Sequence, residues 1–180
     1  GPKRYQAFQD ILEKDPHNRA AGAKAEIDFL NDHAWIFDVL PKLVEEGKIP
    51  VRTTHNDTKI NNVMLDNATG KGICVIDLDT TMPGLSLYDF GDIVRTTASP
   101  TEEDETDISK VGAQLPRLEA VLKGYLSTAG AFLNDAEKDN LILGGQLITL
   151  TIGTRFLTDH LDGDNYFKVH REGHNLDRCR

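Results

Sequence analysis

The sequence predicts a mainly helical α+β protein with one small β-hairpin near its centre. Apolar residues recur at helical spacing through the first 48 residues and again after residue 112, which predicts helices at both ends of the chain. Two short β-prone runs, at 63–65 and 73–76, flank a turn-forming sequence at 66–72 and predict the hairpin. The chemically unusual residues cluster around this hairpin.

The first 48 residues predict helices. An apolar face between Tyr5 and Leu12 predicts a helix that ends near Asp15. A second apolar stripe runs from residue 27 to residue 43. We expect its break near 31–34 or just before Pro41, because proline disfavours helix at the residue that precedes it.

The middle of the chain changes character. Residues 51–54 are β-prone and lead into a polar loop at 55–62, which enters the hairpin. We expect a further helix to begin at Ser86, with Asp89 in its first turn, where a carboxylate is stabilised by the helix dipole. Residues 99–110 are rich in acidic side chains and predict an exposed loop.

Two more helices are expected near 112–128 and 134–162. The second has a capping box in Asn134 and Glu137. Its apolar stretch, from residue 141 to residue 153, contains a pair of glycines and is expected to be too short to span a bilayer. The polar segment from Gly163 onward predicts irregular structure.

Charge and cysteine content exclude several classes of protein. The 180 residues include 29 acidic and 20 basic side chains, for a net charge of −9, which argues against a nucleic-acid or membrane-surface partner. The only cysteines, Cys74 and Cys179, form no disulfide framework, so we expect a cytoplasmic protein. We expect residues 1–180 to form a single domain.

The polar loop and the hairpin carry a pattern suited to phosphoryl transfer from ATP. This reaction needs a carboxylate to accept the hydroxyl proton, oxygen ligands for Mg²⁺ and a cation near the transferred group. Asp57 is the candidate base and Lys59 the candidate cation. Asn62 and Asp77 are the candidate metal and nucleotide ligands.

The spacing of these residues supports one common site. Asn62 precedes the first hairpin strand and Asp77 follows the second, so strand pairing should bring them side by side. Asp57 lies on the loop that enters the same hairpin. The alternative is that His55, Asp57 and Asn62 are ordinary turn and capping residues.

Three nearby residues have less direct roles. Asp79 either shares the metal, approaches the hydroxyl groups of the acceptor or accepts hydrogen bonds from the loop. His55 is expected to orient the loop, since Asp57 is the nearer base. Asp89 begins a DFG tripeptide, but we favour structural support of the catalytic loop over metal binding, because it comes twelve residues after Asp77. A zinc site at His170 and His174 is disfavoured, since Gly173 interrupts a helix.

The chain resembles the C-terminal lobe of the aminoglycoside phosphotransferase and choline kinase-like family, which is related to protein kinases. The resemblance is greatest to N-acetylhexosamine 1-kinases. It rests on the following segments: HNDTKINNV at 55–63, VIDLDTTMPG at 75–84, LYDFGD at 87–92, RFLTD at 155–159 and YFKVHREGHNLDR at 166–178.

The resemblance implies a kinase-like fold in which Asp57 is the catalytic base and Asn62 and Asp77 are magnesium ligands. It also implies that Arg155 and Tyr166 line a sugar pocket. The implied reaction is ATP-dependent phosphorylation of the anomeric hydroxyl of N-acetylglucosamine or N-acetylgalactosamine. The implied partners are ATP and the sugar, with no nucleic acid or membrane.

One departure from the family is large. No glycine-rich phosphate loop and no strand-rich stretch occurs before residue 50. We therefore expect the chain to correspond to the C-terminal lobe without its N-terminal nucleotide lobe, and to have little kinase activity by itself. Aminoglycoside, choline or homoserine remain alternative acceptors, and a non-catalytic ligand-binding lobe is the alternative outside enzymes.

Overall fold

The computed structural model describes residues 1–180 and confirms a mainly helical fold with small two-stranded sheets. The helices are α1 (Pro2–Lys14), α2 (Lys24–Asp32), α3 (Ile36–Glu45), α4 (Ser86–Thr97), α5 (Leu115–Ala129), α6 (Asp135–Asp139), α7 (Leu141–Leu161) and α8 (His174–Cys179). The strands are β1 (Arg52–Thr54), β2 (Val63–Leu65), β3 (Gly72–Val75) and β4 (Met82–Gly84). Short 3₁₀ helices lie at Ala20–Ala23, Ile60–Asn62, Leu78–Thr80 and Ile108–Lys110.

The chain divides into two compact units. The first unit consists of Gly1–Lys42, Thr101–Val111 and Thr149–Arg180. The second unit consists of Leu43–Pro100 and Gly112–Ile148. The second unit therefore contains the hairpin and the polar loop before it.

The central hairpin forms where its sequence predicts it. Strands β2 and β3 pair antiparallel, with Val63 opposite Val75. In the turn, the Gly70 amide donates to the Asp66 carbonyl at 2.8 Å. Gly70 has a φ of 68°, a left-handed conformation that glycine adopts at little cost. The pairing also places the residues that precede β2 beside those that follow β3.

A second antiparallel pair was not expected. Strand β1 pairs with β4, with Thr54 opposite Met82. The sequence of β4 gives little sign of a strand, because it has only three residues and the middle one is Pro83, which lacks an N–H donor. This pairing fixes the start of the polar loop against the segment that follows the hairpin.

Helix α4 is the central helix of the second unit. Phe90 is fully buried and packs with Leu133 and Leu141. Two glycines allow a close approach of helix backbones: a Cβ atom added at Gly91 would lie 2.4 Å from the carbonyl oxygen of Gly144. Both glycines are thus required by packing, and they hold α4 in the position from which it contacts the polar loop.

The first unit has its own apolar core. Phe8, Phe37 and Leu40 contribute from α1 and α3, and Leu157 and Leu161 contribute from the last turns of α7. Each of these five side chains is at most 1% exposed. This burial explains the helical periodicity that the sequence shows at both ends of the chain.

Some expected helix boundaries were wrong. Helix α2 ends at Asp32 and α3 begins at Ile36, so the break lies close to the first expected position, 31–34. The second expected position is wrong, because Pro41 lies inside α3. The expected helix at 134–162 is two helices separated at Asn140. The sequence at 134–140 gives little sign of this break, because the apolar pattern begins only in α7.

The N-terminal cap of α6 agrees with the sequence, whereas the C-terminal segment of the chain departs from it. The capping box is confirmed: the Glu137 amide donates to Asn134 Oδ1 at 2.8 Å, and the Asn134 amide donates to Glu137 Oε2 at 2.9 Å. The tail is less irregular than expected, since His174–Cys179 forms α8. Gly173 caps this helix with a φ of 71°, which leaves His170 outside it.

Helix α7 is long and apolar enough to cross a bilayer by length and composition alone, with a mean hydropathy of 1.3. The apolar stretch at 141–153, expected to be too short to span a bilayer, is part of this longer helix, which continues to Leu161 and has 21 residues. Within the protein, 39% of the apolar segment is buried. Core helices of soluble proteins meet the same criterion, so one such helix is weak evidence of a membrane span.

Candidate active site

The polar loop begins at the end of β1 and turns sharply at Asn56. Asn56 has a φ of 63°, a left-handed conformation that asparagine tolerates better than most residues. Its side-chain amide donates to the carbonyl oxygens of Thr54 and Thr80, at 3.2 and 3.1 Å. The Thr80 hydroxyl in turn donates to the His55 carbonyl at 2.7 Å. These bonds hold the loop against the chain segment that follows Asp77.

Asp89 fixes the loop from the first turn of α4. Its Oδ2 accepts the backbone N–H of His55 at 2.9 Å, and its Oδ1 accepts that of Asn56 at 2.7 Å. The Thr58 hydroxyl donates to the Asp89 carbonyl at 2.6 Å. Both carboxylate oxygens therefore bind the loop backbone, an arrangement that fits structural support.

The His55 ring connects the loop to the end of the hairpin. Its Nδ1 accepts the Asp57 backbone N–H at 3.3 Å, so Nε2 carries the proton. Nε2 then donates to the carbonyl oxygen of Ile76 at 3.0 Å. The ring is fully engaged in holding backbone, which leaves Asp57 as the base candidate of the loop.

The Asp57 carboxylate receives two donors on the same oxygen. Lys59 Nζ lies 2.9 Å from Oδ2, and Asn62 Nδ2 lies 2.8 Å from the same atom. Partial burial would raise the pKa of Asp57, but these hydrogen bonds and the charge of Lys59 outweigh it and leave the pKa below the ordinary 3.8. Asp57 is therefore ionised at neutral pH, and its Oδ1 has no hydrogen-bond partner in the protein.

Asn62 lies at the base of the hairpin and is 5% exposed. Its Nδ2 also donates to the Asp57 carbonyl at 2.8 Å, so the amide nitrogen is committed to Asp57. The backbone carbonyl of Asn62 accepts the Ile76 backbone N–H at 2.9 Å. Asp77, the next residue, is therefore brought to the same end of the hairpin as Asn62.

Asp77 and Asp79 are exposed, and their carboxylates make no hydrogen bond to the protein. Asp77 has a φ of 64° and precedes the 3₁₀ helix Leu78–Thr80, which carries Asp79. A left-handed non-glycine residue is uncommon, and such residues are frequent at functional sites. Asp77 and Asp79 thus supply two carboxylates without a protein partner, on the segment that follows Ile76 at the end of the hairpin.

The chemistry of these side chains fits Mg²⁺. Because Asn62 Nδ2 is occupied by Asp57, the amide oxygen is the atom available to a cation. Asp77 and Asp79 offer further oxygen atoms. No group of three or more His, Cys, Asp or Glu side chains is arranged to hold a metal. Mg²⁺ needs few protein ligands when substrate phosphates and water complete its shell.

The strand that leads into the loop is held by a buried ion pair. Arg52 Nε and Nη2 bind the two oxygens of Glu137 at 2.6 and 2.7 Å, and Ser86 donates to the same carboxylate at 2.8 Å. Burial would raise the pKa of Glu137, but the bonds from Arg52, the Asn134 amide and Ser86 lower it below 4.5. This pair connects β1 to α6.

Arg155 and Tyr166 belong to the first unit and contact each other there. The Arg155 guanidinium carbon lies 5.5 Å from the centroid of the Tyr166 ring, and Nη2 donates to the phenol oxygen at 3.3 Å. Tyr166 is 74% exposed. The pair presents a guanidinium and a phenol hydroxyl to solvent, both suited to polar ligands.

Several residues that shape the site were missed in the sequence. Asn56, Thr58 and Thr80 all hold the loop, and strand β4 closes it from one side. An asparagine in a polar loop is a known signal of a left-handed turn and could have indicated Asn56. The two threonines carry no such signal, since their partners are distant in sequence.

The family model described as "Phosphotransferase enzyme family" (APH) matches residues 2–125, more than half of the chain. The match includes the whole segment from His55 to Asp89 and ends before Arg155 and Tyr166. Phosphotransferases of this family generally use ATP and Mg²⁺. The chain belongs to the APH phosphotransferase family.

Proposed function

We propose that this protein is an ATP-dependent small-molecule kinase that phosphorylates the anomeric hydroxyl of an N-acetylhexosamine. The observation that carries the catalytic part is the Asp57 carboxylate, which is ionised and holds both of its donors on Oδ2. Its Oδ1 is the atom that accepts a substrate hydroxyl. The acceptor class rests on the resemblance at Arg155 and Tyr166.

In the proposed reaction, Asp57 orients the acceptor hydroxyl through Oδ1 and takes its proton. The hydroxyl oxygen forms a bond to the γ-phosphorus of ATP as the bond to the β–γ bridging oxygen breaks, and ADP leaves. Lys59 lies 2.9 Å from Asp57 Oδ2, so its positive charge is close to the reacting hydroxyl. This charge stabilises negative charge that develops on the transferred group.

Asn62 and Asp77 are the proposed magnesium ligands, with Asp79 as a third oxygen donor. When bound, Mg²⁺ supplies neutralisation of phosphate charge and alignment of the phosphates. Asn62 would serve two functions, because its amide nitrogen orients Asp57 and its amide oxygen is the atom left to bind a cation. One of the proposed metal ligands is thus bonded directly to the proposed base.

Arg155 and Tyr166 are the proposed acceptor-binding residues. The guanidinium can donate two hydrogen bonds to the acetamido carbonyl or to ring hydroxyls, and the phenol adds a further polar contact.

We propose the cytoplasm as the location of the protein. Cys74 and Cys179 are both free thiols, and ATP and Mg²⁺ are available in the cytoplasm.

A panel of acceptors tests this proposal. ADP formation is measured in an active enzyme that contains these residues, with N-acetylglucosamine, N-acetylgalactosamine, glucose, an aminoglycoside, choline and homoserine. We expect turnover with the two N-acetylhexosamines and a sugar 1-phosphate as product, identified by phosphorus NMR. Turnover with one of the other acceptors alone would show that the proposed acceptor is wrong, while the proposed kinase activity would stand.

A further inference from the structure

Asp159 is a buried carboxylate near the end of α7 that binds two successive backbone amides. It is 5% exposed. Its Oδ1 accepts the N–H of Tyr166 at 2.8 Å, and its Oδ2 accepts the N–H of Phe167 at 3.0 Å. A carboxylate in the last turn of a helix opposes the helix dipole, and burying it has a desolvation cost. Stability of α7 therefore does not explain this residue.

A third bond completes the clamp. Asn175, which is fully buried, donates from Nδ2 to Asp159 Oδ2 and to Asp164 Oδ1, each at 2.8 Å. Asp164 has a φ of 61° and follows Gly163, which has a φ of 97°. The chain thus makes a tight left-handed turn after α7, and the clamp fixes the backbone that leaves this turn.

The clamp fixes the position of an exposed side chain. Tyr166 is 74% exposed, yet its backbone N–H is held by Asp159. Arg155 lies one helical turn before Asp159 on α7, and its guanidinium contacts both the Tyr166 ring and the Phe167 ring, at 5.5 and 5.2 Å. One face of α7 therefore supplies both the guanidinium and the carboxylate that positions its aromatic partner.

We propose that Asp159 is a positioning residue that sets the Arg155–Tyr166 pair for the acceptor, an inference that rests on the proposed function. Asp159 does not touch the acceptor. It holds the Tyr166 backbone so that the phenol and guanidinium are arranged before the ligand binds. Such preorganisation strengthens binding, because less side-chain and backbone freedom is lost when the complex forms.

Three variants test the inference. Asp159→Asn keeps the shape but offers an NH₂ group to one of the two amides. Phe8→Leu shortens a fully buried side chain in the apolar core of the same unit and leaves every bond of the clamp in place, so it reports on stability alone. Asp162→Asn is the matched control, since the Asp162 carboxylate makes no hydrogen bond. Calorimetry gives the Kd for N-acetylglucosamine, thermal unfolding gives Tm, and NMR gives amide exchange at 166 and 167.

We expect the Kd of Asp159→Asn to rise about tenfold, with faster amide exchange at 166 and 167. Phe8→Leu should lower Tm but change Kd by less than about twofold, and Asp162→Asn should change neither. Equal losses of affinity in Asp159→Asn and Phe8→Leu would overturn the inference, because both would then reflect stability. If wild type binds no N-acetylhexosamine, the proposed acceptor is wrong. The clamp is then judged by exchange: a selective increase in Asp159→Asn supports it, and unchanged exchange refutes it.

Discussion

The side-chain amide of Asn62 donates to both the backbone carbonyl and the carboxylate of Asp57, each at 2.8 Å. A single residue at the base of the hairpin therefore sets the orientation of the candidate base. The same contact determines which atom of Asn62 remains for a cation.

Replacing Asn62 with aspartate should raise the pKa of the Asp57 site. The donor at Oδ2 would become a second carboxylate, and two adjacent carboxylates resist ionising together. Carbon-13 NMR titration of the aspartate carboxyls measures the change. Asn61→Asp is the control, because Asn61 is exposed and makes no side-chain hydrogen bond. Equal titration of Asp57 in the two variants would show that Asn62 does not govern it.

Asp57→Asn should remove most of the turnover of an active enzyme that contains these residues. Loss of a general base lowers kcat by roughly 10²–10⁴-fold, while acceptor affinity changes little because the residue acts in the transition state. Steady-state kinetics separate the two effects. Asp139→Asn, at an exposed carboxylate in α6, serves as the control. An unchanged kcat in Asp57→Asn would remove the residue from this role.

Asp89→Ala should loosen the polar loop and destabilise the protein. The change leaves the backbone N–H groups of His55 and Asn56 without their acceptor, at a cost of about 2–4 kcal/mol for two charge-assisted bonds. Urea unfolding measures the loss, and amide exchange at 55 and 56 locates it. Asp135→Ala, in the first turn of α6 and exposed, controls for the helix dipole. Similar losses in both variants would mean that Asp89 acts only on its helix.

The hairpin and the site at its base could be predicted from sequence because their contacts are local. Only fifteen positions separate Asn62 from Asp77, and a turn sequence between two β-prone runs dictates how they pair. The Asp89 contact spans 33 to 34 positions, and its role was expected only from the place of a carboxylate at a helix start. The sequence does not show which atoms of Asp89 accept these bonds or which backbone amides donate them.

Other features depend on contacts between distant residues and leave little local trace. Strand β4 forms because β1 pairs with it, although Pro83 disfavours a strand. The bond from Ser86 to Glu137 spans 51 positions. The Asp159 clamp was also missed, because an aspartate inside a helical pattern gives no sign that it binds amides beyond the helix end.

Arg52→Ala should destabilise the second unit by about 3–5 kcal/mol at pH 7, because the fully buried Glu137 carboxylate loses its countercharge and keeps only the Ser86 and Asn134 donors. Lys138→Ala, an exposed change on the same helix, is the control. Urea unfolding measures both. A loss no larger than that of Lys138→Ala would mean that the pair contributes little.

Arg52→Ala should also reverse the pH dependence of the stability that Glu137 contributes. In wild type the pKa of Glu137 lies below its ordinary value of 4.5, so its contribution to stability is complete above pH 4.5 and is lost as pH falls through the folded-state pKa. Without Arg52, burial should raise the folded-state pKa above 4.5. Stability from Glu137 is then present at low pH and is lost as pH rises. Unfolding is measured for both proteins from pH 3 to pH 7, as a rough range. The free energy of unfolding that Arg52→Ala loses relative to wild type should be smaller at the acidic end.

Magnesium-dependent nucleotide binding tests the central claim most directly. Calorimetric titration with ATP is carried out with and without Mg²⁺ on wild type, Asp77→Asn and the exposed control Asp139→Asn. We predict binding that requires Mg²⁺, is weakened at least about tenfold in Asp77→Asn and is unchanged in Asp139→Asn. Binding that is independent of Mg²⁺, or equal in all three proteins, would contradict the assignment of the hairpin base as a phosphoryl-transfer site.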